Sequence, residues 1–241
     1  MAVSEHISRK ELKQDKIKET FAHGAEAVFS HRAITLIVLL VVLVVVGSWS
    51  GWRIYTDRQT VHASSGFNDA MKIYTARIGA ADPTQPGEPA FPDEVSRSSA
   101  AQQKFVLVAD KYPSNYYGRL ARYYSALCLE DSERLNQALE ELKKIGSTSD
   151  TEITALSQYQ TAVIYSRTGK TDDAVKIYRS LVDKQSVLVP RSMVLLELAG
   201  TLRANNPKEA LTVYEQIKKE FPDTTIAEEA DKGMSTISPK S

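Results

Sequence analysis

Residues 33–52 read AITLIVLLVVLVVVGSWSGW and carry no charged side chain. A helix rises about 1.5 Å per residue, so a run of this length spans roughly 30 Å, the thickness of a bilayer's hydrocarbon core. Val and Ile dominate it, and both are poor helix formers in water. In lipid the backbone has no other hydrogen-bond partner, so the helix forms regardless. Arg32 and Arg53 bracket the run, and Trp49, Trp52 and Tyr55 crowd its C-terminal end. Aromatic residues collect there at a membrane–water interface. The run predicts one transmembrane helix, with a leader over 1–32 and a larger region over 53–241.

The alternatives are a buried core helix and, more strongly, a cleaved signal peptide, since Ser48-Trp49-Ser50 offers small residues where a signal peptidase cuts. A charged leader of this length is long for one. The single cysteine, Cys128, lies far downstream of the run, which excludes a lipoprotein anchor. It also excludes an intramolecular disulfide and any CxxC zinc or redox site. The leader carries Arg9, Lys10, Lys13, Lys16, Lys18 and Arg32, against Arg53, Arg58 and Lys72 just beyond the run. The flanks are nearly balanced, but a short Lys-rich leader favours the inside, because long C-terminal domains translocate regardless of charge. Within the leader, residues 8–29 read as a weakly amphipathic helix, either lying on the membrane surface or solvated.

Beyond the run, the sequence repeats itself. Ala101, Ala138, Ala174 and Ala210 lie 37, 36 and 36 residues apart. Each is followed at +4 and +7 by apolar residues: Phe105 and Val108, Leu142 and Ile145, Tyr178 and Leu181, Tyr214 and Ile217. Those offsets put three apolar side chains on one helix face. Upstream of three of these helices lie small and apolar residues for a partner helix: Ala126 and Leu129, Ala162 and Tyr165, Ala199 and Leu202. Gly169 suits a left-handed helix end. Thr171 is expected to cap the next helix, Pro207 to open one, and Thr225 with Glu228 to form a capping box.

Ala162, Tyr165, Gly169, Ala174 and Tyr178 resemble the tetratricopeptide repeat, a helix-turn-helix of about 34 residues. Repeats are read at 155–188, 190–222 and 119–150, with a first copy around 61–113 split by a Pro-rich insert. Residues 224–236 would form the polar capping helix that such arrays need. The fold expected is all-α: one N-terminal transmembrane helix, then a tetratricopeptide solenoid of four repeats plus a cap, about nine helices and no sheet. The insert, GAADPTQPGEPAFPD at 79–93, has prolines every third residue. That period suits polyproline II, as a surface loop or spacer or as a ligand for a proline-reading domain.

Signs of catalysis are weak. Gly169-Lys170-Thr171 ends like a phosphate loop, but Ile164 stands where its first glycine belongs, and the preceding residues read as helix. Gly47-Ser48-Trp49-Ser50-Gly51 has Trp49 where a nucleophile elbow needs serine. His6, His23, His31 and His62 lack metal-ligand spacing. The doublets Glu140-Glu141, Asp172-Asp173 and Glu228-Glu229 read as solvated helix faces. Cys128 reads as a buried structural thiol. Positive and negative side chains balance at 30 each, so a strongly basic nucleic-acid footprint is not indicated. No enzyme activity, cofactor or metal is expected.

What remains is a binding surface. First helices line the concave side of such a superhelix. Matching positions place Tyr123, Leu127, Tyr159, Val163, Leu196 and Arg203 there, with Arg122 and Arg167 at its border. The Lys/Asn set by which some tetratricopeptide proteins grip a C-terminal carboxylate is absent. An apolar helix or extended segment is the expected ligand. Alternatively, these residues pack against the chain's own helix at 61–78.

The layout as a whole resembles the YfgM-like family of bitopic bacterial inner-membrane proteins. A Lys-rich leader (Lys10 to Lys18), one span and a C-terminal repeat domain carry the likeness. The resemblance implies a cytoplasmic leader, a periplasmic domain and an ancillary role at the Sec translocon beside periplasmic chaperones. The YPSNYYG stretch at 112–118 is also similar to repeat scaffolds of envelope assembly and cell division, the alternative reading.

Overall fold

The computed structural model describes residues 32–80, 84, 87–146, 150–184 and 186–237. The helix expected at 8–29 and part of the Pro-rich insert fall outside them. Residues 1–58 and Gln59–Ser241 form two compact units. Helix α1, Arg32–Tyr74, carries the apolar run. Its most apolar 18-residue window has a mean hydropathy of 2.0 and none of it is buried. Among the described residues, this is the one helix long and apolar enough to cross a membrane.

Eight further helices follow among the described residues: α2 Glu94–Lys111, α3 Tyr116–Asp131, α4 Leu135–Ile145, α5 Thr151–Arg167, α6 Thr171–Val182, α7 Arg191–Leu202, α8 Pro207–Glu220 and α9 Thr225–Ile237. Side chains fix several starts. Asp93 accepts from the Ser96 amide at 2.7 Å, Asn115 from Tyr117 at 3.0 Å and Asp150 from Ile153 at 3.2 Å. Each satisfies an amide that has no partner within its helix. Pro207 opens α8 as expected, and Gly169 adopts φ +78°.

Two expected caps are corrected. Thr171 is the first residue of α6; Lys170 holds the cap position, and no side chain bonds there. Thr224, not Thr225, caps α9, accepting from the Ala227 amide at 3.3 Å. The absence of sheet is corrected too. Strand β1, Arg77–Ile78, pairs in parallel with β2, Ala90–Phe91, at the two ends of the insert. The Gly79 amide donates to the Phe91 carbonyl at 2.8 Å. Pro92 has no amide to continue the ladder, so the sheet stays this short.

All twelve positions of the alanine-based alignment are buried, none more than 7% exposed. They face their partner helices and form the core. Every helix from α2 to α9 packs on its chain neighbour. Contacts that skip one helix join α3 to α5, α5 to α7 and α7 to α9. These are the first helices of successive pairs. The second helices α4 and α6 are instead separated by a groove of about 730 Å³ floored by Ser157, Thr161 and Tyr165 of α5. First helices therefore form an inner layer and second helices a splayed outer one, as in a curved helical array.

The end of α1 acts as the first helix of the first pair. Phe67 and Ala70 are buried against Ala101, Phe105 and Val108 of α2. The Phe67 ring lies 5.7 Å from Phe105 and 5.5 Å from Tyr124, and Tyr74 lies 5.5 Å from Tyr124. Gly66 lets α1 approach closely, since a Cβ there would stand 2.9 Å from Val108 Cγ2.

Candidate protein-interaction surface

The inner layer carries the residues singled out from sequence. Tyr123 and Leu127 are half-buried on α3, Tyr159 and Val163 on α5, and Leu196 on α7, while Arg203 at the end of α7 is exposed. The Ser166 and Thr201 hydroxyls, 2.9 Å apart, set the register of α5 against α7. Two short connections make these helices parallel. Tyr159 and Val163 of α5 pack on the same core cluster as Met193 and Leu196 of α7. Tyr159 also meets Tyr178 of α6 edge to face, with centroids 6.1 Å apart.

Burial pushes the Tyr159 phenol up to about 12, with Glu197 adding to the shift. Tyr123 is raised by burial and then by its tyrosine neighbours, Tyr159 among them. These phenols stay neutral at physiological pH and offer flat, rigid contact area with a polar tip. At the end of the strip, Arg203 Nη1 donates to the Thr236 hydroxyl of α9 at 3.2 Å.

The chain's own segment at 61–78 packs against Phe105, Tyr117 and Tyr124. Tyr123 packs instead with Ala126, Ile153 and Ile164, while Tyr159, Val163 and Leu196 lie on the large C-terminal core. One expected border residue is corrected. Arg122 is buried, bonded to Asp110 and Glu141 at 2.7 Å each. Arg167 donates to Glu130 at 2.5 Å and to Glu133 at 3.2 Å, tying α5 to the end of α3. Glu141, expected to be solvated, is drawn in by Arg122 and Lys144, whereas Asp172, Asp173, Glu228 and Glu229 are exposed.

One residue escaped the sequence reading. Glu197 is the sole charged residue between Arg191 and Arg203, in a run otherwise apolar, small or hydroxylated. That isolation was the available signal. It is half-buried, and burial alone raises its carboxyl above the ordinary 4.5. Tyr178 nearby is fully buried, and its hydroxyl has no hydrogen-bond partner among the described residues.

Cys128 is 1% exposed, and burial pushes its thiol up to about 12, leaving almost no thiolate. Ile164 lies within α5, so no strand leads into Gly169-Lys170-Thr171. Among the described residues, no three His, Cys, Asp or Glu side chains gather as a metal would require.

An inner layer of first helices under an outer layer of second helices defines a helical-repeat protein. Residues 30–186 match the tetratricopeptide repeat-like domain, and residues 193–224 match the tetratricopeptide repeat. The chain belongs to the tetratricopeptide repeat-like family. Such repeats commonly bind proteins. No curated protein and no solved structure matches the chain.

Proposed function

We propose that this chain is a membrane-anchored scaffold that holds other proteins along the inner layer of its repeat domain. Tyr123, Leu127, Tyr159, Val163, Leu196 and Arg203 provide the contact strip. The observation that carries this reading is that the end of α1 packs at Phe105 and Tyr124, leaving the half-buried tyrosines further along outside its core cluster. Helix α1 is the single-pass anchor, with the leader cytoplasmic and the repeat domain periplasmic at a bacterial inner membrane. No cofactor takes part. The likeness to YfgM-like proteins supports an ancillary role at the Sec translocon, linking it to periplasmic chaperones. Anchoring confines scaffold and partner to one surface and raises their effective concentration.

Photocrosslinking in membranes tests this, with a probe at Tyr159 and, separately, at exposed Asp173. Crosslinks from Tyr159 to translocon subunits, folding factors or nascent chains are expected. Crosslinks to envelope-assembly or division proteins would move the scaffold to those machineries. Crosslinks from Tyr159 only to residues 61–78 of the same chain would overturn the strip.

A further inference from the structure

Glu197 stands on the inner layer with no partner of its own. No hydrogen bond or ion pair satisfies its carboxylate among the described residues, although most other half-buried acids are paired: Glu130 with Arg167, Glu141 with Arg122, Glu209 with Arg179. Of the two arginines that flank it along the chain, Arg191 is paired with Glu220 and Arg203 donates to Thr236. A half-buried charge without a counter-charge is unfavourable unless something supplies one. Its neighbours from the other helices are Tyr159 of α5, Tyr178 of α6 and Tyr214 of α8. Aromatic rings beside a carboxylate suit a cation, which gains from the ring faces as well as from the charge. Access is open on the same face: Gly200, one turn on from Glu197, is exposed, and a Cβ there would meet nothing within 4 Å.

We propose that Glu197 is the anchor for a lysine or arginine side chain of the protein segment lying on the inner layer, with Tyr159 beside it. This rests on the scaffold reading above and sharpens it. The occupant is an apolar segment carrying a basic residue. Its apolar side chains lie on Leu127, Val163 and Leu196, and its cation reaches the carboxylate. Charge complementarity carries the choice, because Glu197 is the acid of this strip and no ion pair satisfies it among the described residues.

The test uses the full chain in detergent and two random peptide libraries. One has lysine fixed at the centre, the other norleucine, which keeps the stem and removes the charge. At least tenfold more binding to the lysine library is expected, with the preference abolished by Glu197→Gln. The melting midpoint of the variant shows that it is folded. Equal binding of both libraries, lost in Tyr159→Ala, would overturn the cation site while leaving the strip in place. Binding of neither library would overturn the proposal, and crosslinking at Tyr159 would then decide the scaffold reading separately. A lysine preference that survives Glu197→Gln would also overturn it.

Discussion

Arg122 Nη1 donates to a Glu141 carboxylate oxygen at 2.7 Å, joining α3 to α4. The same guanidinium holds Asp110 of α2, so one side chain ties three helices together. Glu141 is only 13% exposed, and without Arg122 it keeps Lys144 alone. Breaking a buried pair costs about 3–5 kcal/mol. The surviving lysine and the exposure of Asp110 lower that for Arg122→Ala to about 2–3 kcal/mol. Urea unfolding followed by circular dichroism measures it. A loss below about 1 kcal/mol would mean that water screens the triad.

Two glycines are expected to respond in opposite directions to alanine. At Gly118 a Cβ would stand 1.8 Å from the Tyr112 carbonyl oxygen, a backbone atom held by the turn before α3. Gly118→Ala must move that turn, with an expected loss of about 3 kcal/mol or more. At Gly200 nothing lies within 4 Å. Gly200→Ala removes backbone freedom from the unfolded chain and is expected to stabilise by roughly 0.5–1 kcal/mol. Melting midpoints of the two variants check both signs.

Glu197 gives the repeat domain a defined pH response. Burial raises its carboxyl, so the folded chain holds this proton more tightly than the unfolded chain does. As pH rises from 4.5 through the raised value, the site loses stability, and above that value the loss is complete. The groups facing it, Tyr159, Tyr178 and Tyr214, are all raised and do not titrate in that window. Glu197→Gln is therefore expected to melt higher than the parent at pH 7 and level with it at pH 4. Equal midpoints at both pH values would show that the carboxylate is effectively solvated.

The end of α1 belongs to the repeat domain. A fragment beginning at Gln59 keeps Phe67, Ala70 and Tyr74 against α2 and is expected to unfold cooperatively. One beginning at Thr75 lacks them and uncovers Phe105 and Ala101. Losing a buried aromatic of this kind costs about 3–5 kcal/mol. That fragment is expected to bind a hydrophobic dye such as ANS and to aggregate. Equal behaviour of the two would mean that α1 is dispensable beyond its apolar run.

The sequence by itself determined the apolar span and the helical pairs. Both rest on local regularities: an uncharged run long enough for a bilayer, and alanine-led triplets at +4 and +7 that put three core residues of each second helix on one face. It also placed Tyr123, Tyr159 and Leu196 on the first helices, because a repeat fixes positions by counting. Tertiary structure decided the fate of charges and caps. Arg122 and Glu141 read as surface residues because their pairing crosses from α3 to α4, and Thr224 displaced Thr225 by one residue of backbone geometry. That α1 supplies the first helix of the array followed from where Phe67 meets Phe105, a contact 38 residues apart in the chain. Glu197 was visible as a lone acid in its helix. Its want of a partner emerged only when neighbouring helices brought tyrosines, and no cation, to its side.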